Sequence, residues 1–231
     1  MQYISIAIDG PAGAGKSTVA KQVAECLHLM YIDTGAMYRA VTWKLLQAGV
    51  SLEDNSTIGE IVQDLDIRLS DENGRLRVLV DGQDVTQDIR SPEVTRLVSH
   101  VSRFRQVRDR LVALQRQYAK QQAVVMDGRD IGSNVLPDAK VKIFLTASIE
   151  ERAERRVAEL QNKGYAITID EVRQELVKRD QMDMEREIAP LRQASDAQVV
   201  DTTNKTIEEV VKQILTIYYD ATATVSKGGQ A

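Results

Sequence analysis

The sequence predicts an α/β fold, a five-stranded parallel sheet flanked by helices and interrupted by a small antiparallel β plus helix insertion. Three observations predict it. Five short apolar segments, 4–9, 30–33, 124–127, 141–145 and 198–201, read as buried strands. Amphipathic helical stretches lie between them, the alternation that builds parallel sheets. One segment, 66–86, breaks that alternation with short runs separated by Asn73-Gly74 and Asp81-Gly82, dipeptides suited to positive-φ hairpin turns.

The first strand leads into Gly10-Pro11-Ala12-Gly13-Ala14-Gly15-Lys16-Ser17, which fits G-x-x-x-x-G-K-[ST]. A helical pattern follows, with Val19, Val23 and Leu27 at four-residue steps. Strand, glycine-rich loop and helix form the context in which this motif holds phosphate. The glycines let backbone N–H groups converge on phosphate oxygens, and the helix N-terminus adds partial positive charge. Lys16 is expected at the β- and γ-phosphates and the Ser17 hydroxyl on Mg²⁺. The lone cysteine, Cys26, falls in this helix and is expected as a small buried residue.

The second strand ends at Asp33-Thr34-Gly35-Ala36-Met37-Tyr38-Arg39, which opens the next helix. After the 66–86 meander, Ser91 and Pro92 start a helix as cap and first residue, with Val94, Leu97, Val98 and Val101 on one stripe. An insertion over 60–102 therefore divides a core made of 1–59 and 103–231. Helix 104–120 carries Val107, Leu111, Leu114 and Tyr118 on one face. The third strand runs into Asp127-Gly128-Arg129-Asp130. Three S/T-x-x-E boxes, at Ser148, Thr168 and Thr206, predict helix starts. The helix over 169–180 is followed by a segment with Asp183 and Arg186. The last helix packs Ile207, Val210, Val211, Ile214 and Tyr218 inward.

Four of the five strands end in Asp: Asp9, Asp33, Asp127 and Asp201. Ligands of open α/β sheets bind at the carboxyl ends of strands. Asp127 is expected to be functional, a Walker-B-like carboxylate that steadies Mg²⁺ from behind its direct ligands. Asp201 is expected to cap the next helix.

Composition narrows the classes. The 231 residues carry a formal net charge of −4, with a pI near 5.4, so nothing in the overall charge favours nucleic acid. One cysteine and two histidines exclude a disulfide framework and argue against a Cys/His metal site. No apolar run reaches membrane-spanning length, and the start lacks the basic, then apolar pattern of a signal peptide. A cytoplasmic monomer acting on small molecules, without nucleic acid or membrane partners, is expected.

A phosphate loop alone leaves kinases, GTPases, ATPases and transporters open. The arginines narrow the choice. Phosphoryl transfer between two nucleotides gathers several negative charges in one cleft and needs Arg side chains around the transferred group. Arg39, Arg129 and Arg186 are placed to supply them, since planar bidentate phosphate recognition favours Arg.

The stretches Asp33-Thr34-Gly35-Ala36-Met37-Tyr38-Arg39, Asp127-Gly128-Arg129-Asp130-Ile131-Gly132, 137–145 and Lys178-Arg179-Asp180 with Asp183 and Arg186 resemble the bacterial cytidylate kinases. The Ala189-Pro190-Leu191 stretch, the Asp196-Ala197 pair and the hairpin insertion fit as well, so the resemblance spans about residues 3–219. It implies a P-loop nucleoside monophosphate kinase core that transfers phosphate from ATP to CMP or dCMP with Mg²⁺. The insertion would bind the acceptor nucleotide, and 150–187 would be a lid over ATP. Residues 10–17 with Thr18 would hold ATP, joined by Arg152, Arg155 or Arg156. Ser99, Arg108 and Asp130 would contact cytosine, and Arg179 and Asp183 the sugar. Arg39, Arg129 and Arg186 would hold the acceptor phosphate, with Thr34 beside them where relatives often have Ser. Lys16, Arg39, Arg129 and Arg186 would be the catalytic set. Met184 stands in a stretch that is often more basic in relatives.

The chemistry of the base agrees. Cytosine presents an N4 donor beside O2 and N3 acceptors, whereas uracil presents O4 and a protonated N3. A carboxylate accepting from N4, with an Arg donating to the ring acceptors, selects cytosine. Three alternatives are weaker. A GTP-operated switch would want Asn-Lys-x-Asp, and Asn204-Lys205-Thr206-Ile207 lacks the Asp. A kinase of this fold for UMP, AMP or a non-nucleotide acceptor rests on fold analogy alone. A nucleic-acid binder is disfavoured by the acidic, aromatic-poor chain.

Overall fold

The computed structural model describes residues 4–72, 75–162 and 164–227. In chain order the elements begin with β1 (Ile6–Asp9), α1 (Lys16–Leu27), β2 (Met30–Asp33), α2 (Thr34–Gln47) and α3 (Asn55–Asp64). A meander of β3 (Ile67–Glu72), β4 (Arg75–Val80) and β5 (Gln83–Asp84) follows, then α4 (Pro92–Val101) and α5 (Arg105–Gln121). The chain continues through β6 (Val124–Gly128), β7 (Val141–Thr146), α6 (Ile149–Asn162), α7 (Ile169–Glu185), β8 (Gln198–Asp201) and α8 (Ile207–Lys227).

The main sheet has the order β2-β6-β1-β7-β8, and every pairing is parallel. Strand alternation sends its side chains to two cores. Ala7, Ile32, Val124 and Met126 pack on one face with α2 and α5, while Ile6, Ile8, Val125, Ile143 and Val200 pack on the other with α1 and α8. The chain reverses direction in the sheet at β1, which sits between β6 and β7. Register then places Ile8 beside Asp127, and Asp33 beside Asp127 on the other side. Three strand ends, each bearing a carboxylate at or near its tip, thus meet at one edge.

The small sheet β3-β4-β5 is antiparallel. Leu69, Val78, Val80 and Val85 join the same core as Met126 and Leu111, so its apolar face is buried against the main body. Asp81 and Gly82 take φ of 50° and 82°, the left-handed pair required to turn β4 into β5. The Asn73-Gly74 turn and the tail at 228–231 lie outside the described residues.

The predicted helix starts form by side-chain capping. Ser91 accepts from the Val94 N–H, with Pro92 in the first turn. Thr168 and Glu171 close a reciprocal box, as do Thr206 and Glu209. Ser148 accepts from the Glu151 N–H at 3.2 Å.

Three local expectations are corrected. Helix α7 does not stop at 180 but runs to Glu185, with Arg186 as its C-cap. Asp183 therefore rides on the helix and Arg186 caps its end, rather than both lying in a segment after it. Asp201 does not cap α8. It accepts from the Thr203 N–H at 2.9 Å and the Thr203 hydroxyl at 2.7 Å, a tight Asx turn, and Thr206 takes the capping role. Cys26 is exposed. The buried face of α1 is set by Val19, Ala20, Val23 and Ala24, and Cys26 lies roughly a quarter turn from its middle.

Candidate active site

The loop after β1 is held by sterics and by charge. Gly10 has no room for a side chain, because a Cβ there would lie 1.9 Å from the Leu145 carbonyl oxygen of neighbouring β7. The loop wraps Lys16, which is buried and donates from Nζ to the Pro11 carbonyl at 2.7 Å. Burial, and then the charge of Arg129, lower the Lys16 pKa. Ser17 donates from Oγ to Asp127 Oδ2 at 3.1 Å, and Tyr31 donates from Oη to Oδ1 of the same carboxylate at 2.8 Å. Burial and the adjacent Asp33 raise the Asp127 pKa. Hydroxyl and carboxylate oxygens side by side suit a hard cation that keeps several waters and borrows phosphate ligands, as Mg²⁺ does. Among the described residues no cluster of three His, Cys, Asp or Glu makes an all-protein metal cage.

These residues open on a cleft of about 910 Å³. Residues 12–18 form its floor, and Arg39, Arg129, Arg155, Arg156 and Arg179 line it. Arg39 is partly buried and donates to Thr95 Oγ1 at 2.7 Å. Desolvation pushes its pKa down to about 10, and that of Arg179 down to about 9 with Arg129 adding repulsion. Cations that disfavour one another's charge in a buried cleft make a site built for a polyanion.

A smaller inner pocket adjoins the cleft and shares Gly35, Gly128, Arg129 and Arg179 with it. Val98 and Ser99 from α4, Ser102 at its C-cap, Thr34 and Tyr38 from α2, and Asp130, Asp183 and Arg186 complete its wall. Thr34 does not point freely into it, since its Oγ1 donates to the Asp127 carbonyl at 2.7 Å. Arg129 pairs from Nε with Asp183 at 2.8 Å. Burial alone would lower the Arg129 pKa, but Asp183 reverses that and the net shift is upward. Burial would likewise raise Asp183, and Arg129 holds it below the usual carboxylate range. Asp130 accepts from Arg108 Nη2, from Arg186 Nη2 at 2.9 Å and from Asn134 Nδ2 at 2.9 Å. Arg108 is 1% exposed, stacks 5.8 Å over the Tyr38 ring, and keeps Nε and Nη1 without a hydrogen-bond partner. Buried donors of this kind are costly unless something accepts from them.

The loop that carries Arg129 and Asp130 is fixed from β1. The buried Asp9 carboxylate accepts from the Ile131 N–H at 2.7 Å and the Gly132 N–H at 2.8 Å, at the start of a π turn over Ile131–Val135. Burial raises Asp9 to about 6, and these two hydrogen bonds oppose it. A carboxyl raised on folding favours the folded state at low pH, and that contribution fades as pH rises from about 4 to about 6. Between about pH 4.5 and pH 7 the parent should lose about 2 kcal/mol of stability from this group alone. Asp9→Asn lacks that loss, so its stability relative to the parent should climb by that amount in urea unfolding over the same range. Parallel pH profiles for the two proteins would exclude it.

The protein-family model for cytidylate kinase matches residues 6–220. The chain belongs to the cytidylate kinase family. The cytidylate kinase of Caldicellulosiruptor bescii is 53% identical over 95% of this chain and 97% of that relative. The cytidylate kinase of Bacillus cereus is 51% identical over 93% and 95%. Among solved structures, a gluconokinase from Sinorhizobium meliloti superposes with a TM-score of 0.50 at 16% identity, covering 99% of both chains. An uncharacterised protein from Eubacterium ventriosum does so at 0.54 and 13% identity, over 96% of this chain and 99% of that one. Likeness at that identity speaks for the fold alone.

Within this cytidylate kinase chain, most residues singled out in the sequence converge. Gly13, Lys16, Ser17, Thr18, Arg39, Arg129, Arg155 and Arg179 meet at the cleft, and Thr34, Ser99, Asp130, Asp183 and Arg186 at the inner pocket, with Arg108 behind Asp130. Arg152 does not reach the cleft. It is buried, paired with Asp180, and donates to the carbonyls of Ala12 and Ala147. Arg155 reaches Thr202, donating to its hydroxyl at 3.0 Å and its carbonyl at 2.9 Å. Sequence reasoning missed Asp9, Tyr31, Arg90 and the segment 205–208, which lines the cleft together with Arg156 and Glu159. The signal for Asp9 was present in the row of strand-terminal Asp residues. The 204–207 stretch was visible as a failed guanine motif and as the start of the last helix, with no signal that it lines a cleft.

Proposed function

We propose that the protein transfers the γ-phosphoryl group of ATP to CMP, and to dCMP, giving ADP and the pyrimidine diphosphate. The observation that carries this reading is the inner pocket beside the cleft, where Asp130 in the wall holds acceptor capacity and Arg108, buried behind it, keeps two donors unused. That pairing fits the cytosine edge, and because residues 12–18 line the cleft and not the inner pocket, the cleft is left for ATP. Residues 10–17 with Thr18 and Arg155 are assigned to ATP. Ser99, Arg108 and Asp130 are assigned to the base, Arg179 and Asp183 to the sugar, and Arg39, Arg129 and Arg186 to the acceptor phosphate near Thr34.

In the reaction, an acceptor phosphate oxygen forms the bond to the γ-phosphorus as the bond to the β–γ bridging oxygen breaks. The nucleophile is already a phosphate oxygen, so no protein base is required. Lys16, Arg39, Arg129 and Arg186 position the groups and offset the negative charge as it moves. Ser17 would hold Mg²⁺ with Asp127 steadying it from behind, and the ion would supply charge neutralisation at the phosphates. Residues 60–102 serve as the acceptor-binding insertion on a core of 1–59 and 103–231, and 150–187 as the lid, which excludes water on closing. Both half-sites lie on one chain, which supports action as a monomer; the likeness to the cytidylate kinases supports a cytoplasmic location. Among the described residues no helix is long and apolar enough to cross a membrane.

The deciding assay couples ADP release to MgATP with CMP, dCMP, UMP, AMP and shikimate offered separately. CMP and dCMP should give the highest kcat/KM. Faster turnover of UMP, AMP or shikimate, or ADP release no faster than without acceptor, would overturn the proposal.

A further inference from the structure

Helix α7 and its C-cap carry a row of charges that touches two different loops. Arg179, Asp183 and Arg186 recur at helical spacing and face the inner pocket, where Asp183 holds Arg129 and Arg186 holds Asp130. Asp180 lies on the adjoining face and goes elsewhere. Its Oδ1 accepts from the Ala12 N–H of the phosphate loop at 3.0 Å, and its Oδ2 pairs with Arg152 of α6. Arg152 in turn donates from Nη1 to the Ala12 carbonyl at 2.9 Å. Both backbone polar groups of Ala12 are thus taken by one ion pair, and both members of the pair are buried. Helix α6 closes in from behind as well, with the Arg152 Cβ 3.3 Å from where a Cβ on Gly13 would lie.

The consequence is mechanical. Any ligand that draws Arg179, Asp183 or Arg186 inward moves one rigid helix, and Asp180 is fixed to that helix within one turn. Hydrogen bonds on both sides of Ala12 then carry the displacement to the loop that holds the donor phosphates. Buried charge pairs suit such a link, since breaking either half leaves an unpaired charge out of water.

We propose that Asp180 is a positioning residue that couples acceptor binding to the phosphate loop, so that CMP raises the affinity for ATP, and ATP that for CMP. The inference rests on the assignment of the two pockets to CMP and ATP. Coupling is reciprocal by linkage, and values of about fivefold or more are ordinary for coupled sites.

Calorimetric titration with CMP and a non-hydrolysable ATP analogue, each alone and in the presence of the other, tests this on the full chain. In the parent, CMP should tighten analogue binding by about fivefold or more. Asp180→Asn keeps the shape and the acceptor for Ala12 but sets an amide N–H₂ against Arg152. It should bind CMP alone within about twofold of the parent, while the enhancement of analogue binding falls to within about twofold of none. A purely structural role would lower both affinities and leave their ratio intact, and that result would overturn the proposal. A second measurement needs no variant. Adding CMP alone to the parent should slow amide hydrogen exchange in the peptide containing Ala12, and unchanged exchange would overturn the coupling. Failure of the parent to bind CMP at all would overturn the pocket assignment and the coupling with it. CMP binding without coupling would overturn the coupling only.

Discussion

Lys16→Met should lower kcat by about a hundredfold or more, the usual cost of removing a charged group aimed at the transferring phosphoryl. Its side chain is 6% exposed and sits among Arg129, Arg179, Asp127 and Asp183. Burial and the nearby guanidinium groups already disfavour its charge, so a neutral thioether of similar length should leave the melting temperature near that of the parent. Steady-state kinetics with MgATP and CMP, read beside a thermal melt, separate the two effects. Turnover within a few-fold of the parent in a folded protein would remove Lys16 from the catalytic set and, with it, the phosphate-loop assignment. Because the interaction grows as charge moves onto the leaving ADP, the loss should fall on kcat more than on KM for ATP.

The parts of the molecule legible from sequence are those governed by local rules. Phosphate loop geometry follows from glycines and one Lys-Ser pair, and Gly10 obeys a steric demand that the Leu145 carbonyl makes explicit. Strands announce themselves as short apolar runs and all five were placed, but β8 at the sheet edge is mostly exposed and buries only Val200. Helix caps at Ser91, Thr168 and Thr206 follow from side-chain chemistry within four residues. What stayed hidden depends on packing between distant segments. Arg152, Arg155 and Arg156 are neighbours on one helix, and only the approach of α7 with Asp180 decides that Arg152 turns inward while the other two line the cleft. The extent of α7 itself was underread, because the polar stretch after Asp180 looks solvated in sequence, whereas Asp183 is buried by its ion pair with Arg129. Asp201 was misassigned for a different reason, since an Asx turn with Thr203 and a helix cap use the same donor chemistry a few residues apart.

Base choice gives the second large effect, and Asp130 is where it should be found. A carboxylate has about four acceptor positions. Asp130 spends three, two on Oδ2 with Arg108 and Asn134 and one on Oδ1 with Arg186. One acceptor position on Oδ1 remains, and Asp130 lines the inner pocket with Ser99 and Ser102. The cytosine amino group can donate to it, whereas uracil O4 would meet it as a second acceptor. Asp130→Asn turns half of the group into a donor that can face O4, and a base contact of this quality is worth about 1–3 kcal/mol of discrimination. The ratio of kcat/KM for CMP over UMP should fall about tenfold to a hundredfold. The same change weakens the pairing of two buried guanidinium groups, so stability should fall as well. Stability loss acts equally on both acceptors and cancels from the ratio. If Asp130 only braced the turn after β6, the variant would melt lower with an unchanged CMP/UMP ratio, and that outcome would retire its assignment to the base.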